Sequence, residues 1–186
     1  MQDIVFIQEY FSCYQKFLIE NDVSDSMIAM KKLLLKTRDK GKKVLIAGNG
    51  GSAAMASHVS VDLTKQSGIR TVNFNEADLI TCFANDFGYE NWVAKAIEFY
   101  GDKGDVAILI SSSGKSPNMI NAAIQAKSMK IPVITLTGFE QDNPLRKFGE
   151  LNFWVDSRAY NVIENIHQIW LLMVCDLIIG KIEYSA

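Results

Sequence analysis

Apolar residues recur along this chain in two rhythms. Near the start they step by threes and fours: Ile4, Ile7, Phe11, Tyr14 and Leu18, a helical spacing that Asn21-Asp22 closes. A second helix is predicted from a Ser24 cap to about Asp39, loaded with Met27, Met30, Leu33, Leu34 and Leu35 and stopped by Gly41. After Gly41 the rhythm changes to short unbroken runs, of the kind that form strands buried on both faces of a parallel sheet. These runs are Lys43 to Ala47, Thr71 to Phe74, Asp105 to Ile110, Pro132 to Thr137 and Leu151 to Val155. Helical stretches separate them: Ala53 to Lys65, Asp78 to Ala84, Asn91 to Tyr100, Pro117 (capped by Ser116) to Met129, Leu145 to Phe148, and a long one from Asn161 to Lys181. Asn85 to Tyr89 reads as a polar turn.

Strands alternating with helices imply βαβ units with right-handed crossovers. The expected fold class is α/β: a flavodoxin-like, three-layer αβα sandwich around a parallel sheet of about five strands, with two extra N-terminal helices. One domain accounts for all 186 residues. The two leading helices are surplus to the α/β unit, and their apolar load suits packing against a second copy of the chain over residues 1–41.

Composition narrows the function classes. Charged residues make up 22% and the formal net charge is −2, with no basic tract, so nothing invites nucleic acid. The first residues lack a basic stretch followed by an apolar one, and no uninterrupted apolar run approaches ~18 residues, so neither leader nor membrane span is expected. Cys13, Cys82 and Cys175 are widely spaced and read as small buried residues of a cytoplasmic protein. The two histidines, His58 and His167, are scarce enough that each is a candidate for chemistry.

The chemistry concentrates where strands end. Gly48-Asn49-Gly50-Gly51-Ser52 follows the first strand and opens a helix, which aims backbone N–H groups and a positive helix end at an anion. Ser111-Ser112-Ser113-Gly114-Lys115-Ser116 follows the third strand and supplies hydroxyls for the same purpose. Lys115 either adds charge there or points to solvent. Both turns lie on the carboxyl edge of the sheet, where α/β proteins bind ligands. Two other readings of the glycine turn stand beside this one. Gly48-Asn49-Gly50-Gly51-Ser52-Ala53 satisfies a dinucleotide fingerprint, with Glu76 as an imperfect acidic partner; and a tight turn can exist without a ligand. The serine turn, which is no Walker loop, favours one phosphorylated small molecule held by both turns.

In chain order, Gly48 to Ser52, Ala84-Asn85-Asp86-Phe87-Gly88, Ile110 to Ser116, Thr135 to Gly138 and Ile163-Glu164-Asn165-Ile166-His167 together resemble the SIS (sugar isomerase) family, and within it phosphoheptose isomerases, over nearly the whole chain. The resemblance implies a homotetramer with phosphosugar sites lined by more than one subunit, converting sedoheptulose 7-phosphate to the aldose for surface polysaccharide. It implies that Asn49, Gly50, Gly51 and Ser52 contact substrate, that Asn85 and Asp86 bind the sugar, and that Ser111, Ser112, Ser113 and Ser116 hold the phosphate. It further implies a zinc site, here His58, Asp62 and Glu164, with the carboxylates also moving protons. His58 and Asp62 share a helix face at i, i+4. The resemblance also marks departures: this chain carries Asp62 where the family has Glu, Glu164 where it has Gln, and Leu172 where it has a catalytic, metal-binding His. Asp62 and Glu164 are therefore the candidate acid/base groups. His167, three residues beyond Glu164, either joins them or packs in the core. Three ligands and an open position still suit catalytic zinc. Two functions follow: a phosphosugar aldose–ketose isomerase, or a catalytically silent relative that binds a phosphosugar or a protein partner, as the replication-initiator-associating type does. Leu172 favours the second; His58, Asp62 and Glu164 favour the first.

Overall fold

The computed structural model describes residues 1–184. The chain begins with α1 (Gln2–Tyr14), which runs on through a wider π-helical stretch, Gln15–Glu20, and then α2 (Ser24–Asp39). Ser24 is the first residue of α2 rather than its cap: Asp22 Oδ1 accepts the Ser24 N–H at 2.9 Å and does that work from outside the helix. The α/β body then runs β1 (Val44–Gly48), α3 (Gly51–Lys65), β2 (Thr71–Asn73), α4 (Ala77–Phe87), α5 (Trp92–Tyr100), β3 (Val106–Ser111), α6 (Pro117–Ser128), β4 (Val133–Thr137), β5 (Leu151–Trp154) and α7 (Tyr160–Ile179). Asn85 and Asp86 belong to α4, not to a turn. Phe87 extends the apolar face of that helix, its ring 5.8 Å from Phe83 and 6.3 Å from Phe99, and Gly88 ends it at φ +83°.

The sheet is five-stranded and parallel, in the order β2-β1-β3-β4-β5. The winding direction reverses between β1 and β3, which places the switch-point crevice at their carboxyl ends. Every residue of β1, β3 and β4 is buried, as unbroken apolar runs require. One face is covered by α2, α3 and α7, through residues such as Met30, Leu34, Leu63 and Trp170; the other by α5 and α6, through Trp92, Ile97, Met119 and Ala122. By length and composition α7 is apolar enough to cross a membrane, a feature the strand-and-helix reading did not register. Its buried residues, among them Val162, Ile166, Trp170 and Val174, pack into the core.

At the opposite end of the sheet the starts of β1 and β3 are locked together. Asp105 is fully buried and pairs with Lys43 Nζ at 2.6 Å while accepting the backbone N–H groups of Lys43 and Asp102. Of the cysteines only Cys175 is fully buried, its thiol pushed up to about 12 by desolvation and then by Asp62; Cys13 is half-buried and Cys82 is exposed on α4.

Candidate functional site

Gly50 adopts φ +54°, a conformation that side chains resist, and this bends the chain from β1 into α3. Ser52 follows, buried in the first turn of the helix. Across the switch point the serine turn leaves β3. Its Gly114, at φ +63°, carries the chain into α6, where Pro117 occupies the first helical position. Ser116 stands at the cap position without capping. Its hydroxyl instead pairs with that of Ser111 at 3.0 Å, which closes the turn on itself.

The two turns open onto one cavity of about 120 Å³, lined by Asn49, Ser52, Ile110, Ser111, Ser112, Ser113, Ser116, Tyr160 and Glu164. Among the described residues, the buried Ser112 hydroxyl has no hydrogen-bond partner. A buried polar group left unpaired inside a cradle of hydroxyls is an unmet demand for a ligand atom. Lys115 is exposed and does not line the cavity; its backbone N–H caps Ser113 Oγ at 3.2 Å.

Glu164 reaches this cavity from α7 and lies against the glycine turn, so closely that a β-carbon on Gly51 would stand 2.3 Å from its Oε2. One helical turn further along α7, about 6 Å, Gln168 meets α3. Gln168 Nε2 donates to His58 Nδ1 at 2.9 Å, which leaves the imidazole proton on Nε2, 3.4 Å from Asp62 Oδ2. His58 and Asp62 thus share a helix face as their spacing predicts.

The expected metal trio does not form. Among the described residues no three His, Cys, Asp or Glu side chains converge on a point that could hold an ion. Glu164 is turned to the glycine loop, Gln168 engages the one His58 nitrogen not facing Asp62, and Leu172, another turn along, is aliphatic and packs against the core. This donor set does not fit zinc.

A SIS-domain family profile matches residues 9–138. The chain belongs to the SIS-domain family. Over 178 residues it is 32% identical to a phosphoheptose isomerase of Fusobacterium nucleatum, covering 93% of this chain and 89% of that one. It is 31% identical over 172 residues to the phosphoheptose isomerase of Helicobacter pylori, covering 88% and 89%. The solved phosphoheptose isomerase of Francisella tularensis superposes with a TM-score of 0.88 at 26% identity, over 97% of this chain and all of that one. The Neisseria gonorrhoeae enzyme gives 0.86, also at 26%, over 95% and 97%.

Within this SIS domain the residues expected to act fall in four places. Asn49, Ser52, Ser111, Ser112, Ser113, Ser116 and Glu164 meet around one cavity, with Gly50 and Gly51 forming its glycine turn. His58 and Asp62 lie further along α3, about two and three helical turns beyond Gly51, where His58 meets both Asp62 and Gln168 of the facing helix. Asn85 and Asp86 are exposed on α4, hydrogen-bonded to each other at 2.9 Å, and are not among the residues that line the serine-turn cavity. His167 is not at the cavity. Its ring is fully buried, Nε2 donates to Thr137 O at 3.1 Å, and burial pushes its pKa down to about 4. It ties α7 to β4, so the packing reading of this histidine is the one its surroundings fit. Tyr160 and Gln168 had escaped notice, since one aromatic and one amide at helix spacing carry no motif; their register with Glu164 on α7 was the available signal.

Proposed function

We propose that the chain is a phosphosugar aldose–ketose isomerase acting on sedoheptulose 7-phosphate or a closely related ketose phosphate. The observation that carries this reading is the convergence of the glycine and serine turns on a single cavity, with the Ser112 hydroxyl buried there and unpartnered. The cavity suits a phosphoryl group in size. The sugar then runs along the α3–α7 face toward Asp62.

Side chains alone carry the chemistry, since the zinc that the family resemblance implies finds no three converging donors among the described residues. Asp62 takes the proton from the carbon beside the carbonyl and returns it to the neighbouring carbon, while the hydroxyl proton moves between the two oxygens of the enediol. His58 Nε2–H faces the Asp62 carboxylate and orients it, and Glu164 hydrogen-bonds sugar hydroxyls at the cavity rim. We assign the chain a homotetrameric assembly. Support comes from α1, which buries none of its residues and exposes Ile4, Val5, Phe6, Ile7 and Phe11, and from Asn85 and Asp86, which have a sugar to meet only in a neighbouring copy.

The test is proton exchange into sedoheptulose 7-phosphate in deuterated water. Wild type should exchange; Asp62→Asn should bind the sugar phosphate and exchange at least ~100-fold more slowly. Normal exchange by Asp62→Asn refutes the assignment. The second reading, a silent phosphosugar-binding SIS protein, is favoured by aliphatic Leu172 and by the missing metal trio. It predicts wild-type binding with no exchange on any heptose or hexose phosphate.

A further inference from the structure

Asn118 entered none of the motifs, yet it joins the two halves of the cavity. It is the second residue of α6, directly after the serine turn, and is only 2% exposed. Its carboxamide faces that of Asn49 in the glycine turn, and the two exchange reciprocal hydrogen bonds: Asn49 Nδ2 donates to Asn118 Oδ1 at 3.0 Å, and Asn118 Nδ2 donates to Asn49 Oδ1 at 2.8 Å. Tyr89 OH adds a third bond, to Asn49 Oδ1 at 3.2 Å. Asn49 is therefore held at both ends of its amide. Its oxygen accepts twice, one N–H is engaged, and a single N–H remains for any ligand.

The pair spans the switch point. Asn49 lines the cavity with the serines, and it also lines, with Tyr89, Ser116 and Asn118, an outer pocket of about 310 Å³. Asn49 and Ser116 line both spaces, and Asn118 lines only the second. Removing Asn118 leaves the Asn49 amide held by Tyr89 alone, and removing Asn49 leaves both ends of the buried Asn118 amide without these partners, which is strongly unfavourable.

We propose that Asn118 is a positioning residue for phosphoryl recognition: its amide clasps that of Asn49 and holds the glycine and serine turns at the separation one phosphoryl group requires. This rests on the phosphosugar reading above. It also changes the part played by Asn49, whose side chain is a strut between the turns rather than a reader of sugar hydroxyls.

The experiment uses the full chain, with inorganic phosphate titrated by calorimetry and sugar-phosphate turnover measured in parallel. Asn118→Leu, matched in size, should weaken phosphate binding and raise KM by about tenfold while kcat stays within about twofold. Asn49→Ala should do the same, and the double variant should be no worse than either single one, because one clasp is broken in all three. Tyr89→Phe, at an exposed position that leaves the core untouched, should weaken phosphate by about twofold to threefold. A merely structural Asn118 would lower thermal stability or the folded fraction without moving KM. Should Asn118→Leu fail to fold, Asn49→Ala and Tyr89→Phe decide. Wild-type phosphate affinity in these folded variants, or simple additivity of the Asn49 and Asn118 effects, overturns the clasp alone. A wild-type chain that binds neither phosphate nor a sugar phosphate overturns the anion reading and the clasp with it.

Discussion

The carboxylate of Glu164 stands in a cavity otherwise walled by serines, the Asn49 amide, Ile110 and Tyr160. A negative side chain there opposes the charge of a phosphoryl group, and the opposition is strong where water is scarce. Glu164→Gln is expected to tighten inorganic phosphate by about fivefold in calorimetric titration, while turnover falls through loss of the carboxylate at the sugar. His167 makes the contrasting case of a residue whose effect lies in stability. Its folded pKa is depressed to about 4 from an ordinary value of 6.5. Between those values the unfolded chain binds more protons, so the neutral-pH stability is complete above about pH 6.5 and is lost as pH falls toward about 4, by about 3 kcal/mol in all. Urea midpoints for wild type should drop across that window, and those for His167→Gln should drop distinctly less. Both outcomes turn on where a side chain points. His58, Asp62, Glu164 and His167 were all legible as chemically competent, but nothing in their spacing distinguished Glu164, turned onto the glycine loop, from His167, rotated into the core by three positions along the same helix.

The turns behave as elements, each braced from behind. The serine turn leans on Asn143, which is 1% exposed and donates to Thr137 Oγ1 at 3.1 Å and Glu140 O at 2.8 Å while accepting from the Arg146 N–H. A β-carbon on Gly114 would lie 2.0 Å from Asn143 Oδ1, in a backbone conformation that side chains resist. Gly114→Ala should therefore cost about 3 kcal/mol, read from chemical unfolding, and should abolish phosphate binding as Asn143 is displaced. Strands and helices were legible to within a residue or two wherever an unbroken apolar run or a glycine marked them, as at β1, β3, β4 and Gly41. The end of α4 was not, because Asn85 and Asp86 carry turn chemistry that the packing of Phe87 overrides. The bracing by Asn143 and the clasp by Asn118 were equally hidden, since each depends on a partner distant in sequence or on a loop without periodicity.

At the scale of the whole molecule, the proposed assembly would use the exposed apolar residues of α1 and bring the exposed Asn85 and Asp86 to a neighbouring copy's sugar. Phe6→Glu combined with Phe11→Glu is expected to yield monomers in analytical ultracentrifugation. Such monomers should retain the phosphate cavity, formed within one chain, and lose most turnover. Tetramers that persist, or monomers with full turnover, would contradict the shared-site reading.

The Lys43–Asp105 lock lies at the end of β1 and β3 remote from their turns. Two strands anchored at their roots confine slack to their tips. Warming would therefore loosen the grip on a ligand while the sheet beneath still holds, and the chain would fall silent at a temperature below the one at which it melts.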